Sequence, residues 1–183
     1  MRHGQPNRGA FTLVEILVVV IILGIAGAVI VPSLSTRDDL KAAAAARVLM
    51  ADLIYTQNLA ITQQKNHYVR FDVTTQRYVV VASPDMTVVT HPVNQMPYRV
   101  VLGAGGTPGL TDAAIESAEF KGQSSEQLYP TIGFDELGTP VVYIGSGSIE
   151  PLSSGSAVLR VGQFRLRVQI EPYTGQITVT PAS

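Results

Sequence analysis

The chain has 183 residues, of which 46% are hydrophobic and 15% charged, and its formal net charge is −1. This length suits one compact domain with an appendage rather than two full domains. The near-zero charge argues against a nucleic-acid-binding protein, which needs a basic face. The absence of cysteine excludes a disulfide framework, a thiolate zinc site and a cysteine nucleophile.

The N-terminal region combines a short basic segment with a long apolar one. Residues 1–10 contain Arg2 and Arg8 but no acid, and residues 11–31 are apolar except for Thr12 and Glu15. As a helix, residues 11–31 would be roughly 31 Å long, close to the roughly 30 Å hydrocarbon core of a bilayer. The positive-inside rule then predicts one membrane crossing, with the N-terminus in the cytoplasm and the rest of the chain outside.

Three interpretations of this region differ in how they treat Glu15. A secretory signal peptide would be cut near Ala26 to Ala28, and an uncleaved single-pass anchor would not be cut at all. Neither accounts for an acid beside an apolar run, which at the centre of a membrane helix costs about 2.5–3.5 kcal/mol. A buried carboxylate needs a cation. Cleavage just before Phe11 would create one, because it frees an α-amino group.

The residues Phe11-Thr12-Leu13-Val14-Glu15, followed by the apolar run, resemble the class III signal of type IV prepilins and type II secretion pseudopilins. The resemblance implies that a prepilin peptidase removes the leader on the cytoplasmic face and methylates the new N-terminal residue. It also implies that the glutamate is the fifth residue of the processed chain. Counting back from Glu15 places the cut between Ala10 and Phe11.

The residue before the cut departs from the family pattern, which has glycine there. Cleavage after Gly9 would restore glycine but would make Glu15 the sixth residue and leave alanine at the new terminus. We favour Ala10–Phe11, since alanine is the next smallest side chain and this cut keeps the phenylalanine-to-glutamate spacing. Loss of Arg2 and Arg8 would change the formal net charge from −1 to −3.

A helix is predicted from Thr12 to about Gln64, with Pro32 either ending its first half or, as the family resemblance implies, kinking it. The second half, residues 33–64, includes an alanine run over 42–46, which favours helix. Spacings of three and four predict one apolar face that packs on a globular domain. Its predicted members are Leu40, Ala44, Val48, Ala51, Tyr55 and Leu59, widened by Met50, Ile54 and Ile61, with Asp52 among the residues of the opposite, polar face.

Residues 65–183 have the pattern of a β-rich domain. The candidate strands are 67–73, 76–82, 98–102, 131–134, 141–144, 157–161, 164–171 and 176–180. Residues 74–75, 162–163 and 174–175 are the predicted turns, while 83–97, 103–111 and 145–155 are predicted exposed loops. In 164–170, apolar and polar residues alternate, which predicts one buried and one solvated face. The fold class is therefore α+β, a kinked helix packed on an antiparallel sheet or sandwich.

The C-terminal third resembles a more specific group. The segments Gly133–Pro140, Phe164–Ile170 and Tyr173–Val179 are similar to the β-domain of GspH/FimT-type minor pseudopilins. The resemblance covers roughly residues 130–180 and selects the subtype, whereas residues 83–130 match no pattern that we recognise. It implies that this domain is displayed outside the membrane for contacts with other subunits or with secreted cargo.

No catalytic set is evident in the sequence. His3 lies in the leader, His67 opens a predicted strand, His91 precedes Pro92, and no HExxH spacing occurs. Glu126, Asp135 and Glu136 are acids that could contact calcium, but turn acids are far commoner. We therefore predict a protein without enzymatic activity, resident cofactor or metal.

The sequence thus predicts a minor pseudopilin of a type II secretion system. The expected domains are a cleaved leader (1–10), a membrane and assembly helix (11–32), an amphipathic helix (33–64) and a globular domain (65–183). The expected partners are the prepilin peptidase, other pilin-like subunits in a filament or tip complex, secreted cargo and the bacterial inner membrane. Two alternatives stay open: a minor pilin of a type IV pilus or competence system, and a membrane-tethered binding module.

Overall fold

A computed structural model of the chain describes the backbone of residues 12–33 and 37–182 and the side chains of residues 12–26 and 37–182. The chain divides between Arg37 and Asp38 into two compact units, which are described one at a time. The helices are α1 (Leu13–Ser33) and α2 (Arg37–Gln63). The strands are β1 (His67–Asp72), β2 (Arg77–Ala82), β3 (Thr87–Val88), β4 (Arg99–Val101), β5 (Ala113–Gly122), β6 (Leu128–Tyr129), β7 (Thr131–Phe134), β8 (Pro140–Gly145), β9 (Ser148–Val161), β10 (Phe164–Ile170) and β11 (Ile177–Pro181).

The first unit is built on α1, a 21-residue helix with Glu15 in its first turn. Its side chains are described only as far as Ala26. Within the described residues, no helix combines the length and the apolar character needed to cross a membrane.

The second unit begins with α2, a 27-residue helix that carries Asp38 and Asp39 in its first turn. Acids at this position are stabilising because they face the positive end of the helix dipole. The helix ends where Gln64 adopts a positive φ of 49° and the N–H of Lys65 donates to the carbonyl of Ala60 at 3.2 Å. This left-handed residue lets the chain turn directly into β1.

The strands form one antiparallel sheet in the order β11-β10-β9-β8-β7-β1-β2-β3, with β4 also on β2, and β5 on β9 and β6. The 14-residue β9 connects the two parts of this sheet. Its first residues, from Ser148 to Pro151, pair with β8, and its later part pairs with β5 and β10. Pairing on both sides along one long strand explains how a single sheet accommodates so many strands.

One large core joins α2 to both parts of the sheet. From the helix it takes small and medium apolar side chains, which let the backbone approach the sheet closely. The core residues of α2 are Ala42, Ala45, Ala46, Leu49, Leu53 and Ala60. They meet apolar side chains from β1, β2, β5, β7, β9 and β10. The predicted α+β fold, a helix packed on an antiparallel sheet, is confirmed.

Several local predictions are confirmed closely. β7 has the predicted limits, and the predicted hairpins β1–β2, β9–β10 and β10–β11 are all formed. In β10, Val168 and Ile170 are buried while Arg165 and Arg167 are exposed, as the alternation predicts. Phe164 is the exception, since it lies at the hairpin end of the strand and is 45% exposed.

Two loop predictions are wrong. The segment 145–155 was expected to be an exposed loop, but Ser148–Gly155 belongs to β9 and Leu152 is fully buried. In 83–97, Thr87–Val88 pairs with β2, and Thr90 forms a bridge with Pro97. Serine, glycine and proline have low strand propensity, but pairing with neighbouring strands satisfies their backbone groups and overrides that preference.

The predicted apolar face of the second helix is also wrong. Leu40 is 68% exposed, and Val48, Ile54 and Ile61 also face solvent in the described unit. The buried face instead contains Asp52, which is only 9% exposed. This face also carries the core residues Leu49 and Leu53, and two tyrosine hydroxyls hydrogen-bond the Asp52 carboxylate, as described below.

Candidate functional site

The beginning of α1 is fixed by Thr12, which caps the helix. The Thr12 side-chain oxygen accepts a hydrogen bond from the N–H of Glu15 at 3.2 Å, and the Thr12 carbonyl accepts bonds from Glu15 and Ile16 at 3.1 and 3.2 Å. A threonine followed three residues later by glutamate is the sequence pattern of a capping box. The cap shows why a helix starts here, directly after the predicted processing site.

Glu15 stabilises the start of α1, but its carboxylate has no described cation as a partner. A carboxylate in the first turn is favourable for the helix dipole, which accounts for an acid here in an isolated helix. However, the Glu15 carboxylate forms no ion pair with any residue that the structure describes. If this end of α1 is buried among other helices, the carboxylate needs a cation from outside the described part of the chain.

The apolar side chains of α1 also lack partners within its own unit. From Leu13 to Ile25 they are exposed around the whole circumference of the helix, with Leu13 at 81%. A helix that is apolar on all sides is normally buried in lipid or among other helices. The geometry therefore supports a helix whose packing partners belong to another molecule or to a membrane.

Of the other predicted site residues in this region, only Pro32 lies within the described backbone. Ala10 and Phe11, the predicted cleavage and methylation site, lie outside the described residues. Pro32 lies in the last turn of α1, one residue before the helix ends at Ser33. Residues 34–36, between Ser33 and the start of α2, also lie outside the described residues, and so does any kink there.

The globular unit contains a buried polar cluster that the sequence did not suggest. The hydroxyl of Tyr78 on β2 donates to Oδ2 of Asp52 at 2.5 Å, and the hydroxyl of Tyr98 donates to Oδ1 at 2.8 Å. Tyr55 stacks on Tyr98 with ring centroids 5.5 Å apart, and His91 lies 4.4 Å from the same ring. The cluster therefore connects α2 to β2 and to the segment that precedes β4.

Burial dominates the electrostatics of this cluster. Desolvation raises the pKa of Asp52 above its usual value, although the hydrogen bonds from Tyr78 and Tyr98 act in the opposite direction. The pKa values of both tyrosines are raised too, first by burial and then by the neighbouring carboxylate. Both phenols thus remain hydrogen-bond donors at physiological pH. We interpret the cluster as a structural connection, since it adjoins no described group of metal ligands or nucleophiles.

Two of the three acids considered for calcium, Asp135 and Glu126, have other partners. Oδ1 of Asp135 accepts hydrogen bonds from the backbone N–H groups of Leu137 and Thr139 at 3.0 and 2.8 Å, which closes the β7–β8 turn. Glu126 pairs with Lys121 at 2.8 Å. Among the described residues, no three histidine or acidic side chains are grouped so that they could hold a metal ion.

The two histidines in the described part of the chain, His67 and His91, each contact neighbouring backbone groups. His67 at the start of β1 is fully buried, and its Nδ1 lies 2.9 Å from the carbonyl oxygen of Lys65. His91 packs against Tyr98, and its Nδ1 accepts a bond from the N–H of Val93 at 3.2 Å. Each contact is explained by local packing and turn structure.

One comparison with known proteins concerns the N-terminal region. Residues 5–31 match the family model described as the prokaryotic N-terminal methylation motif. No curated protein matches the sequence.

Two solved structures are similar in fold. Both are of the minor pseudopilin EpsH from the type II secretion system of Vibrio cholerae. One aligns with a TM-score of 0.51 at 13% identity, over 77% of this chain and 97% of that chain. The other aligns with a TM-score of 0.45 at 15% identity, over 78% and 96%. The chain therefore carries a prokaryotic N-terminal methylation motif over residues 5–31 and has a fold similar to that of the minor pseudopilin EpsH.

Proposed function

We propose that this chain is a minor pseudopilin, a structural rather than catalytic subunit of a type II secretion pseudopilus. The observation that carries the proposal is α1 itself, an apolar helix with exposed side chains and one acid, Glu15, in its first turn. The methylation motif over residues 5–31 and the EpsH-like fold support it.

In this proposal a prepilin peptidase cuts between Ala10 and Phe11 and methylates the new amino group of Phe11. The apolar residues 11–32 first hold the precursor in the bacterial inner membrane, with the N-terminus in the cytoplasm and the globular domain outside. They then pack among the helices of other pilin-like subunits. There the Glu15 carboxylate pairs with an N-terminal amino group of a neighbour, which removes the penalty of burying it alone.

The exposed apolar side chains of α2 support the same assembly. Leu40, Val48, Ile54 and Ile61 are exposed and do not belong to the core of their own unit. We expect these side chains to be covered when subunits associate.

Processing is tested on the full chain in bacterial membranes, with and without a prepilin peptidase. The intact mass and the N-terminal sequence should show loss of residues 1–10 and addition of one methyl group, only when the peptidase is present. A product that keeps residues 1–10, or one that starts after Ala28, would contradict the proposed processing.

Assembly is tested by crosslinking, which the absence of native cysteine makes specific. A single Val19→Cys substitution should form disulfides with cysteines placed in α1 of other pilin-like subunits. We expect Glu15→Gln to abolish these crosslinks without affecting membrane insertion. Glu119→Gln, which removes an acid from the exposed side of β5, serves as the matched control.

A membrane-tethered binding module predicts a different result, since Glu15→Gln would then leave both crosslinking and function unchanged. Deletion of the gene separates the two filament systems. Loss of protein secretion supports the pseudopilus, whereas loss of pili or DNA uptake with normal secretion supports a type IV pilus.

A further inference from the structure

The outer face of the sheet, opposite α2, contains a cleft of about 380 Å³ between β1, β2, β3 and β4. Strand register defines its layout. Arg70 on β1 lies opposite Val79 on β2, and Val79 lies opposite Arg99 on β4. Arg77, two residues before Val79, lies opposite Asp72. Three guanidinium groups therefore surround one apolar position on the same face of the sheet.

The charges of this cleft are not balanced. Asp72 is the acid among its lining residues, and one of its carboxylate oxygens lies 3.4 Å from Nη2 of Arg77. Arg70 and Arg99 form no ion pair with any described residue. By contrast, Arg160 and Arg165 of the β9–β10 hairpin share Glu116. Guanidinium groups held near each other without counter-charges favour the binding of an anion.

The cleft is apolar at its base. Val79 is 92% covered, and Val88 lines the cleft beside it, whereas the ring of Phe71 packs in the core on the other side of the sheet. Beside it on the same face lies a second small apolar cluster, formed by Tyr68, Val79, Val81 and Val141. A ligand that fits this surface needs both carboxylate groups for the arginines and apolar parts for the base.

The spacing of the arginines favours several anionic groups rather than one. Adjacent strands lie about 4.8 Å apart, so the backbones of Arg70 and Arg99 are separated by about 10 Å across β2. In an extended peptide, side chains two residues apart point to the same side about 7 Å from each other. Mobile arginine side chains can reach acids at that spacing and bind each carboxylate through two N–H groups.

We propose that the cleft lined by Arg70, Arg77 and Arg99 binds an acidic segment of a partner protein, with its carboxylates on the arginines and its intervening apolar side chains over Val79. The cleft volume lies within the range of ligand-binding pockets and far exceeds that of a single inorganic anion. This site is independent of α1 and does not require the proposed function to be correct.

The proposal is tested by NMR titration of the isotope-labelled full chain in detergent micelles. The probe is a five-residue capped peptide with glutamate at positions 1, 3 and 5 and valine between them, and its control contains glutamine instead of glutamate. We expect the acidic peptide to shift the amide signals of β1, β2 and β4, with affinity that falls as salt rises. The glutamine peptide should shift none of them.

Matched arginine variants make the test specific. Arg70→Gln combined with Arg99→Gln should weaken binding at least tenfold. Arg47→Gln combined with Arg167→Gln removes the same charge from exposed positions on α2 and β10 and should leave the affinity within twofold. Equal losses in both double variants, or shifts outside the cleft, would overturn the proposal.

Two further measurements keep the result decisive. Arg70→Glu combined with Arg99→Glu should abolish binding of the acidic peptide and allow an equivalent lysine peptide to bind, which a variant that is merely misfolded cannot do. Free glutarate, inorganic phosphate and phosphatidylglycerol vesicles should each bind at least tenfold more weakly than the peptide. If any of them equals the peptide, the ligand is a small anion or a lipid surface and the protein segment is ruled out.

Discussion

The hydroxyl of Tyr98, just before β4, donates a hydrogen bond to the carboxylate of Asp52 on α2 at 2.8 Å, across 46 residues of sequence. The same carboxylate accepts a second bond from Tyr78. Both oxygens of a buried acid are thereby satisfied, which is the condition for a polar group to be tolerated in a core. This contact lets Asp52 lie on the face of α2 that packs on the sheet, beside Leu49 and Leu53.

Removal of the Asp52 carboxylate should destabilise the globular unit. Asp52→Ala leaves two buried hydroxyls without an acceptor, so we expect a loss of about 2–5 kcal/mol in the free energy of unfolding. Tyr98→Phe should cost about 1–3 kcal/mol. Urea denaturation measures both, with Tyr173→Phe as a control because that side chain is 88% exposed. Additive losses in the Asp52→Ala, Tyr98→Phe double variant would show that the two side chains are not coupled.

The pH dependence of stability should reflect the buried position of Asp52. Because burial raises the native pKa of this acid above its usual 3.8, its protonated form is favoured in the fold. Its contribution to stability is fully present below the unfolded-state pKa and is lost as the pH rises through the native pKa.

Asp52→Asn removes this titration. Its free energy of unfolding, relative to wild type, should therefore improve as the pH rises from about 4 towards neutrality. Urea denaturation across this pH range measures the difference, and Asp85→Asn, at an exposed position, should follow the wild-type curve. Parallel curves for Asp52→Asn and wild type would show that the carboxyl does not titrate differently in the folded state.

Two faces of α2 should respond differently to truncation. Leu53 is buried in the core, so Leu53→Ala should cost about 2–5 kcal/mol. Ile54→Ala changes the adjacent residue, which points to solvent, and should alter the free energy of unfolding by no more than about 0.5 kcal/mol. Thermal or urea denaturation of both variants gives the comparison. A larger loss of stability for Ile54→Ala than for Leu53→Ala would show that the face of α2 predicted from the sequence is the buried one.

Gly133 on β7 should tolerate no side chain. A Cβ at this position would lie 2.2 Å from Cδ1 of Tyr68 and 2.5 Å from the backbone oxygen of His67. Gly133→Ala is therefore expected to lower the free energy of unfolding by about 1–3 kcal/mol through overpacking. Gly24→Ala is the control, since a Cβ there meets nothing within 4 Å. A fully stable Gly133→Ala variant would mean that the Tyr68 ring moves without cost.

No strand was predicted over β5, and its structure gives a physical reason. In β5, the buried residues are Ala113 and Ile115, then Ala118 and Phe120, so the alternation skips one position. A β-bulge between Ile115 and Ser117 produces this shift, and a strict two-residue period cannot detect it. The three arginines of the cleft each lie on the outer side of a strand. The pairing that brings β1, β2 and β4 together cannot be predicted from any one of these segments.

The sequence by itself determined the features that depend on neighbouring residues. These are the apolar N-terminal helix, the prepilin-like signal at its start, the α+β class and the hairpins whose turns are local. The tertiary structure decided which face of α2 is buried. Helical spacing places Asp52 on the polar face, whereas the fold buries it and supplies hydrogen bonds from Tyr78 on β2 and Tyr98 before β4, both far away in the sequence. It likewise decided that Ser148–Gly155 is a strand, since only pairing with β8 and β5 satisfies that backbone.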